Sequence, residues 1–124
     1  MIIARIKLLL SKKKDKDQRF YSKIVKAWAD YTLKTIGVTV RTIGLENLPE
    51  GNCLFVGNHQ SYLDIPLVLS QINKPIGFIA KKELKAVPFI GYWMKKINCV
   101  FLNRNNVREA IDSINRGAYN LQNL

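Results

Sequence analysis

The sequence predicts an α/β fold, with a partly parallel sheet flanked by helices and an amphipathic helical region ahead of it. Three observations lead there. Short apolar runs bounded by turn residues alternate with stretches of helical periodicity, which is the sequence pattern of strand–helix–strand units. The first 36 residues carry only helical periodicity. The 124 residues, 48% of them apolar, suffice for one globular core. The expected organisation is therefore a helical region over residues 1–36 and the α/β portion over residues 37–124.

The opening ten residues are apolar but interrupted by Arg5 and Lys7, too short and too charged for a membrane span or a signal peptide. They read as the frayed start of a helix. Lys12, Lys13, Lys14 and Lys16, alternating further on with Asp15 and Asp17, read as a solvated hinge able to lie against anionic lipid. Phe20, Ile24, Ala27, Trp28 and Tyr31 then recur at i, i+4, i+7, i+8 and i+11, with Arg19, Lys23 and Lys26 off the stripe. Tyr21, Val25 and Leu33 broaden the apolar side. Such a helix suits either a protein core or the headgroup boundary of a bilayer, where Trp and Tyr are favoured.

Residues 37–42 alternate as a strand does, and Leu48, Pro49, Glu50, Gly51 and Asn52 form a turn. Cys53, Leu54, Phe55 and Val56 then read as a buried strand. Residues 65–72 read as a short helix, 76–80 as a strand and 81–86 as the start of a helical turn. Pro88 to Met94 is rich in large apolar groups, suited to core packing or to an acyl-chain groove. Residues 97–102 make another strand. Asn106 and Glu109 have capping-box spacing, after which Val107, Ala110, Ile111, Ile114, Ala118 and Leu121 share one helical face.

The formal charge of +11 is spread, with eleven basic against five acidic residues in the first fifty and nine against four thereafter. That balance favours anionic partners: lipid headgroups, phosphorylated substrates or nucleic acid. Nucleic acid is disfavoured, because no recognition motif accompanies the charge. Cys53 and Cys99 lack the spacing of metal or redox motifs and read as reduced core residues.

The chemistry points to residues 57–64. His59 is the only histidine, and Asp64 follows five residues later. Within one helix these two side chains would stand about 140° apart and could not easily face each other, whereas a loop-to-helix corner could fold one onto the other. Ser61 and Asp64 have capping-box spacing and Pro66 suits a first helical turn, which puts that corner at residue 61 to 64. An imidazole fixed by a carboxylate can take a proton from an alcohol. His59 is thus a candidate base and Asp64 its orienter, against the plainer reading of a cap and a packed histidine. Asn58 and Ser61 are candidates for supporting the turn. A lone histidine gives no expectation of a metal.

Residues 58–64 (Asn58, His59, Gln60, Ser61, Tyr62, Leu63, Asp64) resemble the NHxSxxD form of the His-x4-Asp motif of the glycerolipid acyltransferase family, especially its 1-acyl-glycerol-3-phosphate acyltransferases. Gly44 to Pro49 is similar to the family's G-x-E-N-L-P approach to the strand before the motif. Lys82, Glu83 and Leu84 with Pro88 to Gly91 resemble its K-x-E-L…P-x-x-G segment, and Phe101 to Arg104 its F-I-x-R block. Four ordered segments across residues 44–104 are far more specific than one.

The resemblance implies an acyltransferase that moves a fatty acyl group from acyl-CoA or acyl-carrier protein to the sn-2 hydroxyl of lysophosphatidic acid, giving phosphatidic acid. It implies His59 and Asp64 as catalytic residues, Arg104 and Lys82 as ligands of the substrate phosphate with Lys81 a neighbour, and no cofactor beyond the acyl donor. Membrane lipids are implied partners, with the protein peripheral or monotopic on the cytoplasmic face of the cell membrane. No E-G-T-R-like third block and no later proline-containing block follow, so the expectation is an incomplete glycerolipid acyltransferase-like domain, truncated at its C-terminal end and open to being inactive by itself. Two alternatives stand beside it: a related acyltransferase using glycerol-3-phosphate or another lysophospholipid, and a non-catalytic basic module that binds membranes.

Overall fold

The computed structural model describes the backbone of residues 2–123 and the side chains of residues 17–123. In chain order the elements are α1 (Ile2–Thr35), α2 (Asp64–Gln71), β1 (Ile79–Lys81), α3 (Ile90–Lys96), β2 (Val100–Leu102) and α4 (Val107–Asn123), with 3-10 turns at Leu45–Asn47 and Lys82–Ala86. β1 and β2 pair in parallel, Ile79 opposite Val100 and Lys81 opposite Leu102. Parallel neighbours need a crossover connection, and here it is the Lys82–Ala86 turn followed by α3.

The small core joins Val25 and Ala29 of α1, Leu69 of α2 and Ile97 after α3, with Tyr21, Ile65, Ile76, Phe78, Trp93 and Cys99 packed around them. Ala29 is fully buried. Its small side chain lets α1 and α2 approach closely, and Lys26 closes the contact by donating to the Ser70 carbonyl. Further toward the start of α1 on the same face, the Lys96 ammonium sits 5.0 Å from the ring centre of Tyr21 and 5.4 Å from that of Tyr92. Gln18 Nε2 donates to the Lys96 carbonyl at 3.1 Å.

Two helix ends explain how the chain turns. At the end of α1, Gly37 adopts φ 73°, Val38 N donates to Leu33 O at 2.9 Å and Gly37 N to Lys34 O at 3.1 Å. This is the 6→1 and 5→2 bonding of a Schellman motif, for which a residue free to adopt positive φ is required. Asn98 does the same after α3, with φ 58° and Cys99 N donating to Met94 O at 2.9 Å, so the chain passes directly into β2.

Several sequence expectations need correction. Residues 37–42 are not a strand: Gly37 closes a helix, and the alternation after it meets no ladder partner. Residues 53–56 are also irregular, with Leu54 68% and Val56 88% exposed. An apolar run states a need for burial but supplies no neighbour to pair with, and the sheet among the described residues contains β1 and β2 alone. The helix runs unbroken through residues 12–16, so there is no backbone hinge; the lysine side chains there lie outside the described residues.

The two amphipathic helices are both rotated from their expected faces. α1 buries Val25, Ala29 and Leu33, whereas Phe20, Trp28 and Tyr31 of the expected stripe stay exposed. α4 turns Ala110, Ser113, Gly117 and Asn120 partly inward, Gly117 facing Val100, and leaves Val107, Ile111 and Ile114 outside. In each case a small residue at the contact decides the facing, because it allows backbones to come close, while periodicity reports only the width of the apolar arc.

Cys53 and Cys99 are free thiols, each half-buried. Desolvation pushes the Cys99 thiol up to about 11, partly offset by the hydrogen bond its sulfur accepts from Phe78 N at 3.3 Å.

Candidate active site

The chain enters α2 through a corner built on one carboxylate oxygen. Asp64 Oδ2 accepts from Gln60 N at 2.8 Å and from Ser61 N at 3.0 Å, and it lies 2.8 Å from His59 Nδ1. Ser61 Oγ accepts from Leu63 N at 3.1 Å, and Asp64 N donates to Ser61 O at 3.2 Å. The expected capping box is thus half formed: the acid reaches back to the Ser61 amide, while the serine hydroxyl takes Leu63 N and leaves the Asp64 amide to a backbone turn. Asn58 makes no side-chain hydrogen bond among the described residues, so its expected support of the turn is not observed.

Those contacts fix the chemistry of the pair. The backbone N–H of Ser61, then that of Gln60, then His59 hold the Asp64 carboxyl below its ordinary value of 3.8, so it is ionised at neutral pH. An ionised Oδ2 at 2.8 Å places the imidazole proton on Nδ1 in the neutral ring, which leaves Nε2 as the basic nitrogen. The His59 side chain is 65% exposed and that of Asp64 31%, so Nε2 is open to an incoming hydroxyl. Asp64 also sits in the first turn of α2, where the helix dipole favours a negative charge.

A second group of polar side chains lies where the chain leaves β1 and β2. Lys81, Glu83, Leu84, Arg104 and Asn105 line an open cleft of about 350 Å³. Its position beyond the carboxyl ends of parallel strands is a common one for ligands. Lys81 lines this cleft with Arg104, whereas Lys82 points to the start of α4 and pairs with Glu109 Oε2 at 3.0 Å. The sequence had put Lys82 first and Lys81 second. No hydrogen bond or ion pair joins this cleft to the His59–Asp64 pair among the described residues.

Glu109 and Asn103 are the participants that sequence reasoning missed. Asn103 Nδ2 donates to Glu109 Oε2 at 2.9 Å, Asn106 Nδ2 donates to Oε1 at 3.3 Å, and Glu109 N donates to Asn106 Oδ1 at 3.2 Å. The capping-box spacing had marked Glu109 as structural only. The missing signal was the parallel register, which sets Lys81 against Leu102 and so brings Lys82 to the α4 start. Among the described residues no three His, Cys, Asp or Glu side chains gather as a metal site, and no helix is long and apolar enough to cross a membrane.

The structure is a parallel α/β unit with a histidine fixed by an ionised carboxylate and cationic side chains beyond its strand ends. The comparisons narrow that class. The family described as Acyltransferase matches residues 39–123, and the chain belongs to it. It is 41% identical over 88 residues to the 1-acyl-sn-glycerol-3-phosphate acyltransferase of Saccharomyces cerevisiae, covering 70% of this chain and 29% of the relative. A chloroplastic enzyme of the same name from Brassica napus is 36% identical over 101 residues, covering 80% and 29%. Another from Chlamydomonas reinhardtii is 33% identical over 114 residues, covering 90% and 32%. The chain therefore spans about 30% of the length of these relatives. No solved structure matches it.

Proposed function

We propose that the protein acts as an acyltransferase that moves a fatty acyl group from acyl-CoA or acyl-carrier protein to the sn-2 hydroxyl of lysophosphatidic acid, giving phosphatidic acid. The observation that carries this reading is the 2.8 Å contact between His59 Nδ1 and an Asp64 oxygen already held by two backbone amides. The names of the relatives supply the acceptor.

In this reading Nε2 of His59 takes the proton of the acceptor hydroxyl as its oxygen attacks the thioester carbonyl carbon. The new C–O bond forms, the carbonyl electron pair moves to oxygen, and its return expels the thiolate. The proton on Nε2 then passes to that sulfur, so the products are phosphatidic acid and the free thiol. Asp64 stays ionised throughout and stabilises the imidazolium between the two transfers. Arg104 and the lysines beside it hold the acceptor phosphate, for which a forked guanidinium is well suited.

Membrane lipids are the natural surroundings of such an acceptor. The outward Phe20, Trp28 and Tyr31 of α1 support a peripheral or monotopic attachment to a bilayer, since aromatic side chains favour the headgroup boundary, and the cytoplasmic face is what the family resemblance implies.

The test is an acceptor panel with and without a phosphate group, assayed with the full reading frame that encodes this chain. Phosphorylated acceptors are preferred, and Arg104→Ala lowers kcat/KM for them about 10- to 100-fold, the worth of a charge-assisted hydrogen bond. Equal use of glycerol-3-phosphate and lysophosphatidic acid would move the reading to the related acyltransferases. Salt-sensitive vesicle binding with no transfer at all would move it to a membrane-binding module.

A further inference from the structure

Lys82 follows the cleft residue Lys81 directly but is turned to the start of α4, where a carboxylate holds it. Its Nζ lies 3.0 Å from Glu109 Oε2, and that same oxygen takes the Asn103 amide at 2.9 Å. Asn106 holds the other carboxylate oxygen and the Glu109 backbone N–H. Glu109 is therefore fixed on three sides by polar groups from the end of β2 and the start of α4. Arg104, one residue past Asn103, lines the adjacent cleft.

We propose that Glu109 is a specificity-determining counter-ion beside this cleft: it keeps Lys82 turned away in the resting protein and releases it toward the cleft for a phosphomonoester but not for a phosphodiester. The inference rests on the reading of the Arg104 cleft as the phosphate site. Two anions compete for one ammonium. Glu109 offers one negative charge, already in place. A phosphomonoester carries about −1.5 to −2 near pH 7 and three acceptor oxygens, so it can draw Lys82 away while also engaging Arg104. A phosphodiester headgroup carries one charge and has no electrostatic advantage over the carboxylate. Without Glu109, Lys82 would stand free to attract any anion, and most membrane phospholipids are diesters. The carboxylate thus guards the cleft against the lipids that surround it, and Asn103 and Asn106 keep it from following the lysine.

The alternative is that Glu109 serves only the cap of α4 together with Asn106. Binding of two soluble probes separates the two roles. Glycerol 3-phosphate is a monoester and glycerophosphocholine a diester, and titration calorimetry on the product of the full reading frame that encodes this chain measures both in the wild type, Glu109→Gln, Glu109→Asp, Lys82→Met, Arg104→Ala and the Lys82→Met/Glu109→Gln double variant. Thermal melting checks that each variant is folded. Glu109→Gln is expected to bind glycerophosphocholine about two- to fivefold more tightly, the range released by breaking one exposed ion pair, while glycerol 3-phosphate changes less than twofold. Glu109→Asp restores the discrimination. In the Lys82→Met background Glu109→Gln has no effect on either probe.

An unchanged ratio in Glu109→Gln, or a change that persists without Lys82, overturns the proposal while leaving the phosphate site intact, provided Arg104→Ala weakens glycerol 3-phosphate. Failure of the wild type to bind glycerol 3-phosphate, or indifference to Arg104→Ala, overturns the phosphate-site reading and this proposal with it.

Discussion

His59 and Asp64 meet at 2.8 Å across a corner in which the aspartate oxygen is already bonded to the amides of Gln60 and Ser61. The backbone thus orients the carboxylate before the histidine is considered, and the histidine is oriented by the carboxylate. In the proposed reaction a pair arranged in this order leaves Nε2 to take the acceptor proton.

Asp64→Asn should separate orientation from charge. Asparagine can present its oxygen to the same amides, so the corner should remain, but it gives up the negative charge that stabilises an imidazolium. The expected outcome is a fall in kcat of about 10²- to 10⁴-fold with little change in KM. Steady-state kinetics with lysophosphatidic acid as acceptor checks it.

Acid should unfasten two corners together. Asp64 is held below its ordinary value of 3.8 chiefly by the Ser61 amide, and Glu109 below 4.5 chiefly by the Asn103 amide group. A carboxyl whose folded value is depressed adds stability in full above its unfolded value and loses it as pH falls through the folded value. The melting temperature of the wild type should therefore drop more steeply below pH 4 than that of an Asp64→Asn/Glu109→Gln variant. Melts by circular dichroism between pH 2.5 and 7 compare the two.

The two sides of α1 should respond differently to truncation. Leu33→Ala removes a buried side chain and should cost about 2–5 kcal/mol of stability in a denaturant titration. Trp28→Ala/Tyr31→Ala should leave stability nearly unchanged and weaken sedimentation with anionic vesicles about tenfold, the effect of withdrawing roughly 60 Å² of apolar surface at about 25 cal/mol per Å².

Gly91 carries a packing requirement. It is buried at the start of α3, and a Cβ there would run into the Lys85 carbonyl oxygen of the turn after β1. Gly91→Ala should destabilise by about 1–3 kcal/mol, the usual cost of overpacking, and loosen the Lys81–Leu84 side of the cleft. Chemical denaturation and the affinity for glycerol 3-phosphate report the two effects.

What the sequence made legible follows from how local each signal is. The short helix after Asp64, the existence of strands near residues 76–80 and 97–102 and the helix after Asn106 were readable because caps, turn residues and periodicity act within a few positions. The observed strands are shorter, Ile79–Lys81 and Val100–Leu102. The His59–Asp64 contact was open to the sequence because capping spacing allowed a corner between them and the resemblance to the His-x4-Asp motif favoured it. Long-range facts were not. The residues 53–56 needed a neighbour that no local pattern supplies, and Ala29 and Gly117 chose helix faces through contacts with distant elements. Lys82 found Glu109 only because two strands paired in one particular register.

The most direct test of the central claim is transfer of a radiolabelled acyl group from a thioester donor to lysophosphatidic acid by the full reading frame encoding this chain, with wild type and His59→Ala measured side by side. The account predicts labelled phosphatidic acid from the wild type and a loss of about 10²- to 10⁴-fold in the variant, with folding and vesicle binding retained. Near-normal transfer by His59→Ala, or none by the wild type, would contradict it.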